Sequence, residues 1–121
     1  MKKILVVDDN PVSRELLREA LESPSYEVCE AAHGQYALEA IAETRPDLVL
    51  MDLQMPVLDG FAALKALRQD CRFAGIRVIA VTAFAMRGDR ERALAAGFDG
   101  YFTKPIDSEE LERHVRGLLR D

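Results

Sequence analysis

Apolar runs that break off abruptly in charge constrain this chain most. Ile4-Leu5-Val6-Val7 runs straight into Asp8-Asp9, Leu48-Val49-Leu50-Met51 into Asp52, and Tyr101-Phe102-Thr103 into Lys104-Pro105. A strand wetted on one face alternates apolar and polar residues. An unbroken aliphatic run reads instead as a strand covered on both faces, the condition of the central strands of a parallel sheet. In an open sheet of that kind the carboxyl ends of the strands border one crevice where ligands bind. Three carboxylates and one ammonium, distant in sequence, are therefore predicted to meet there. That set suits a divalent cation and a phosphoryl group.

The rest of the chain supports the same architecture, because strand and helix signals alternate five times. After the first run, Asn10 offers an N-cap and Pro11 the first helical position. Val12, Leu16, Leu17, Ala20 and Leu21 follow at helical spacing, and Ser23-Pro24-Ser25 ends the helix. Tyr26 to Ala31 reads as a second strand, and Ala37, Leu38, Ala40 and Ile41 mark a helix closed before Pro46. Beyond Leu48 to Met51 lies a loop, Met55-Pro56-Val57-Leu58-Asp59-Gly60, and then a helix lined by Phe61, Leu64 and Leu67. Ile76 to Val81 is the fourth strand, and a thinly apolar helix from about Met86 to Ala96 ends at Gly97, a suitable left-handed C′ residue. Asp99 to Phe102 is a short fifth strand. The last helix starts at Asp107 or Ser108, with Glu110 placed to complete a capping box and Leu111, Val115, Leu118 and Leu119 on its buried face. This alternation predicts an α/β fold with a five-stranded parallel sheet, doubly wound, with helices on both faces.

Length and composition bound the function. The chain has 121 residues, about one domain, and residues 1–121 are expected to form it. At 49% hydrophobic it can bury a core, yet no apolar run approaches the roughly 20 residues that span a bilayer. The four aliphatics after Met1-Lys2-Lys3 are too few for a secretory leader, so a soluble, cytoplasmic protein with no membrane partner is expected. A formal charge of −5, with the basic residues interleaved among acids, speaks against direct nucleic-acid binding, which needs clustered cations. Cys29 and Cys71 have no metal-ligand spacing; they read as a small strand filler and a free thiol near a helix end. His33 and His114 belong to no metal motif, and Glu110, one turn before His114, suggests a surface ion pair.

Each charged residue at a strand end has an ordinary alternative role, such as capping the next turn, and it is the set that carries meaning. Asp52 is the candidate nucleophile, since a carboxylate can take up a phosphoryl group as an acyl phosphate. Asp8 and Asp9 are adjacent, so on a regular strand they would point to opposite faces; at a strand end both can reach the crevice. Three carboxylates crowded together resist ionising without a counter-charge. Mg2+ resolves this, being a hard cation that takes one or two carboxylates along with phosphate oxygens and water. Lys104 supplies a compact ammonium able to pair with Asp52, and later with phosphate. Thr82 places a hydroxyl at the end of the fourth strand, and small Ala83 leaves room beside it.

The ordered set Asp8-Asp9, Asp52, Thr82 and Lys104-Pro105, with the loop Met55-Pro56 to Asp59-Gly60, resembles the receiver domains of two-component response regulators over essentially the whole chain. The resemblance implies the flavodoxin-like (βα)5 strand order. It implies a signalling switch in which Asp52 accepts phosphate from a histidine kinase or histidine phosphotransfer protein. Mg2+ would be held by Asp9, Asp52 and the backbone carbonyl of Gln54, with Asp8 acting mainly through a metal-bound water. Thr82 and Lys104 would bind phosphate oxygens, Lys104-Pro105 would be cis, and Tyr101 would be the switch aromatic that turns inward as Thr82 moves. Gln54 and Phe84 fall where the family varies and where the lifetime of the phosphoryl group is tuned. The segment from Val81 to Met86 looks like that of stand-alone regulators and hybrid-kinase receivers.

Val12, Ser13 and Leu16 on the first helix, with Pro105 and Ile106, are the expected donor-docking residues; Phe84 shields the site or joins the partner surface. A downstream protein partner is expected as well. The enzyme alternative is an aspartate-nucleophile phosphohydrolase, but such enzymes resemble an Asp-x-Asp scheme, and here Asp8 and Asp9 are adjacent. A flavin or nucleotide carrier is disfavoured because no glycine-rich loop follows the first strand.

Overall fold

A computed structural model of the chain describes residues 2–32, 34–53, 60–73, 75–83 and 86–119. In chain order the elements are β1 (Lys2–Val7), α1 (Pro11–Leu21), β2 (Tyr26–Ala31), α2 (Gly34–Thr44), β3 (Leu48–Asp52), α3 (Gly60–Gln69), a single 3-10 turn at Cys71–Phe73, β4 (Arg77–Thr82), α4 (Asp89–Ala96), β5 (Gly100–Thr103) and α5 (Ser108–Leu119). The strands form one sheet in the order β2-β1-β3-β4-β5. Every pairing is parallel, as the aliphatic runs require.

The two-residue period of the strands divides the core in two. Leu5, Val7, Val49, Met51, Val78 and Ala80 face α2, α3 and α4, where they meet Ala37, Ile41, Leu64, Leu67 and Ala93. Ile4, Val6, Leu48, Leu50, Ile79 and Val81 face α1 and α5, where they meet Leu17, Leu21, Leu111 and Val115. Both faces are therefore covered, and the doubly wound arrangement follows. On α1 the apolar residues split: Leu17 and Leu21 are buried, while Val12 and Leu16 are 63% and 62% exposed.

Local chemistry sets the helix ends. Asn10 caps α1, its side chain accepting from the backbone N–H groups of Val12 and Ser13, with Pro11 at the first position. Asp107 caps α5 by accepting from Glu109 and Glu110. Two expectations need correction. The fourth helix starts at Asp89 and not at Met86, because Gly88 adopts a left-handed conformation (φ 87°) that interrupts the helical run; Gly97 (φ 112°) closes it as predicted. His114 makes no ion pair with Glu110 among the described residues. It is half-buried instead, with Nε2 3.1 Å from the carbonyl oxygen of Asp99 and its ring edge-on to Phe102, tying α5 to the start of β5. Side-chain spacing along α5 does not show what the preceding strand, β5, brings underneath it. Cys29 is half-buried on β2, Cys71 is exposed, and both are free thiols as expected. His33 lies outside the described residues.

The start of α3 presses against the end of β3. A Cβ at Gly60 would lie 2.7 Å from the carbonyl oxygen of Asp52 and 2.9 Å from Leu53 Cα. These are backbone atoms with no freedom to swing aside. Gly60→Ala is thus expected to push α3 off the strand and cost about 1–3 kcal/mol by overpacking, read from urea denaturation. Gly75→Ala, whose Cβ meets nothing within 4 Å, is the control, with a change within about 0.5 kcal/mol.

Candidate functional site

Parallel pairing delivers the ends of β1, β3 and β4 to the same edge of the sheet. Val7 is in register with Met51, and Asp52 with Val81, so Asp8, Asp52 and Thr82 emerge side by side. The ladder runs one residue beyond β1, since the Asp8 N–H donates to the Ala31 carbonyl at 3.1 Å. There the chain turns, and the Asp8 carboxylate accepts the Asn10 N–H at 2.9 Å. Past that turn the strict alternation of a strand lapses, as expected. Asp8 is fully buried, Asp9 is exposed, and Asp52 is 5% exposed. Carboxylate oxygens of all three lie within 4.8 Å of one another.

Lys104 arrives from the other side of the sheet. Its backbone N–H donates to the Thr82 carbonyl at 2.8 Å, which seats it against the end of β4. Its ammonium donates to Asp8 Oδ2 at 2.7 Å and to Asp52 Oδ2 at 3.4 Å. The expected Lys104–Asp52 pair is present, but the shorter contact goes to Asp8. Burial works against the charged amine, yet the hydrogen bond to Asp8 and the charges of Asp52 and Asp8 outweigh it, and the Lys104 pKa is raised. The amine is a cation throughout the neutral range. The Lys104-Pro105 peptide is cis.

Charge counting shows what this site lacks. Two carboxylates whose oxygens lie within 4.8 Å of one another repel by roughly 3 kcal/mol or more at an effective dielectric near 20. Among the described residues one ammonium faces three carboxylates, a deficit of two positive charges. A cluster of hard oxygen ligands with that deficit, one of them open to solvent, fits a divalent cation of the Mg2+ type.

Thr82 is buried at the end of β4 and shares a sheet face with Tyr101, because Tyr101 is in register with Ala80 and Thr103 with Thr82. The Tyr101 ring packs against the α3–α4 side of the core. Its hydroxyl is already out of solvent, with no hydrogen-bond partner among the described residues. Burial, followed by the charge of Asp89, pushes its pKa up. Ser13, Leu16, Lys104, Pro105 and Ile106 line one groove between α1 and the start of α5, with Val12 exposed on the helix beside it. Gln54 and Phe84 lie outside the described residues. Two contributors had no signal in the sequence. The Asn10 amide bond to Asp8 needs the turn geometry, and Arg14, which donates to the Asp8 carbonyl at 2.7 Å, bridges elements that only the fold brings together.

The response regulator receiver domain family matches residues 4–116. The chain belongs to that family. The polar-differentiation response regulator DivK of Brucella anthropi is 39% identical over 120 residues, which cover 99% of this chain and 98% of the relative. The receiver domain of a Pseudomonas aeruginosa sensor histidine kinase, solved with a magnesium ion coordinated in its active-site cleft, is 37% identical with a TM-score of 0.88, covering 99% and 98% of the two chains. The chemotaxis protein CheY4 of Vibrio cholerae is 30% identical with a TM-score of 0.89 over 98% and 99%. The fold is thus the flavodoxin-like receiver fold, and the chain is a phosphorylation-dependent signalling switch of the two-component type. Receiver domains bind Mg2+ at an acidic site, and this chain carries an acidic cluster of Asp8, Asp9 and Asp52 able to hold such an ion. No helix among the described residues is long and apolar enough to cross a membrane.

If Lys104 offsets carboxylate repulsion, Lys104→Met lowers stability in divalent-free buffer by about 3 kcal/mol, between the cost of an unsatisfied buried polar group and that of a broken, fully buried ion pair, since Asp8 is buried and Lys104 partly exposed. Adding Asp52→Asn to that variant restores part of the loss, because one of the repelling charges is gone. Urea denaturation of the single and double variants checks both.

Proposed function

We propose that Asp52 is the phosphoacceptor and that the whole chain, residues 1–121, works as one receiver unit. The observation that carries this reading is the single Lys104 ammonium shared between Asp8 and Asp52, beside a third carboxylate and a buried threonine. An oxygen of Asp52 attacks the phosphorus of a phosphohistidine, the P–N bond breaks, and its electron pair leaves with the imidazole. Lys104 and Thr82 then bind oxygens of the acyl phosphate. Lys104 is already within reach of Asp52 and keeps its positive charge at neutral pH. Asp9, Asp52 and the backbone carbonyl of Gln54 would hold Mg2+, with Asp8 contributing through water. When bound, the ion offsets charge on the transferring group.

The donor is a histidine kinase or histidine phosphotransfer protein. It would dock over Val12, Ser13 and Leu16 with Pro105 and Ile106, where exposed aliphatics flank the groove that leads to Lys104. Phe84 is assigned to the same surface or to shielding the acyl phosphate. The chain acts as a cytoplasmic switch, and its product is an altered surface for a downstream protein. A phosphoryl group adds roughly −1.5 to −2 charges and three acceptor oxygens at Asp52. Thr82 would move toward it, and Tyr101, on the same sheet face, would repack. An unpartnered buried hydroxyl costs about 1–3 kcal/mol, so the Tyr101 position seen here is one a modest rearrangement can improve.

Incubation with acetyl phosphate and MgCl2 is expected to add the mass of one phosphoryl group in a base-labile linkage. Asp52→Asn and an excess of EDTA should each abolish it, separating acceptor from metal. Mass spectrometry reads the outcome; labelling retained in Asp52→Asn would move the acceptor to another residue.

A further inference from the structure

We propose that Arg14 is a positioning residue for the acidic cluster: anchored by Glu30 of β2, its guanidinium fixes the Asp8–Asp9 peptide and thereby aims Asp9 at the divalent cation. The inference rests on the reading of Asp8, Asp9 and Asp52 as the Mg2+ site.

Asp9 is exposed, and its carboxylate has no hydrogen bond or ion pair among the described residues. Something other than its own contacts must therefore set its direction. On the near side of the peptide, Asp8 is immobilised. Its N–H is bound to Ala31, one carboxylate oxygen to the Asn10 N–H and the other to Lys104. What remains is the tilt of the Asp8–Asp9 peptide group. That group is planar, so the direction of the Asp8 carbonyl dictates where the Asp9 N and Cα lie. Arg14 Nη1 donates to that carbonyl oxygen at 2.7 Å.

Arg14 is held in turn. Its Nε donates to Glu30 Oε1 at 3.2 Å, while Glu30 Oε2 accepts from Arg18, which also pairs with Glu22 at 2.7 Å. A guanidinium offers several donors in a rigid fork, so one edge can serve the carbonyl while another is tethered. Tethering has a second consequence. A loose cation one helical turn from three carboxylates would compete with the metal for them; with Glu30 as its partner, Arg14 is engaged elsewhere.

Calorimetric titration of MgCl2 into the protein tests the assignment. Arg14→Ala is expected to weaken Mg2+ binding about tenfold, the low end for loss of a group that orients a metal ligand. At saturating Mg2+ its rate of phosphorylation by acetyl phosphate should recover to within about twofold of the parent, since Asp52, Thr82 and Lys104 are untouched. Arg14→Lys recovers only part of the affinity, because an ammonium cannot serve both partners in the same geometry. Glu30→Gln, which leaves Arg14 in place but weakens its tether, should lose about threefold and serves should Arg14→Ala fail to fold. A lowered melting temperature with unchanged Mg2+ affinity in these variants reduces Arg14 to a scaffold residue and overturns the proposal. A parent protein that takes up no Mg2+ overturns the metal reading itself, and this inference with it.

Discussion

Parallel registry of β1, β3 and β4 is the constraint on which everything functional rests. β3 is paired on both sides, to β1 from Leu48 to Met51 and to β4 from Leu48 to Asp52, so neither neighbour can slip without the other. A one-residue slip would exchange the two faces of a strand and bury the wrong set of side chains. The hydrophobic alternation that keeps Leu50 toward α1 and α5 and Met51 toward α2 and α3 therefore also fixes Asp52 beside Asp8. Core packing places the charges, and the bonds of Asp8 and Lys104 only refine that placement. Three carboxylates gathered in a low-dielectric edge are a cost that the core carries, as functional sites commonly require.

Lys104 turns that cost into something sensitive to chemistry. It is the ammonium that bridges Asp8 and Asp52, and it is carried by the segment after β5, the strand farthest from β1 on that side of the sheet. Its backbone is bound to Thr82 and its side chain to the acidic pair, so the ends of β4 and β5 are linked to β1 and β3 by one residue. Any change in charge at Asp52 alters the balance between its two carboxylate partners. Lys104 itself is bonded through its backbone to Thr82 and directly follows β5, which carries Tyr101.

Much of this was legible in the residues. Aliphatic runs ending in Asp8 and Asp52 identified the central strands, because burial on both faces leaves no other composition; the run ending in Lys104 is also a strand, but a half-exposed one at the sheet edge and not a central one. Asn10-Pro11 and Gly97 marked helix ends through local rules that need no tertiary information. What escaped depends either on a backbone conformation or on a distance between elements that residue types alone do not reveal. Met86 reads as helical until the left-handed Gly88 intervenes. His114 reads as a surface residue until the Asp99 carbonyl is brought within 3.1 Å of its ring. Gly60 reads as a turn glycine, yet the tighter requirement is the backbone of Asp52 and Leu53 against which α3 starts. Lys104 was assigned to Asp52, and only the turn after β1 shows that Asp8 receives the shorter bond.

The weakest part of the assembly lies beside the switch residues. α4 contributes Ala93 as its buried residue, and Leu94 remains largely exposed. It is otherwise held by Arg92 over the ring of Phe61, which meets Phe98 edge-on. Such contacts contribute on the order of 1 kcal/mol each at a surface, less than the buried Leu17 and Leu21 of α1 or Leu64 and Leu67 of α3 contribute. An element so lightly held costs little to displace, and in a two-state equilibrium a shift of about 1–2 kcal/mol changes the populations about tenfold. In the proposed switch that shift comes from rearranging Thr82 and the buried Tyr101 hydroxyl. The thin apolar stripe of α4 is then no defect of the fold. A helix packed as firmly as α3 would absorb the same perturbation without moving.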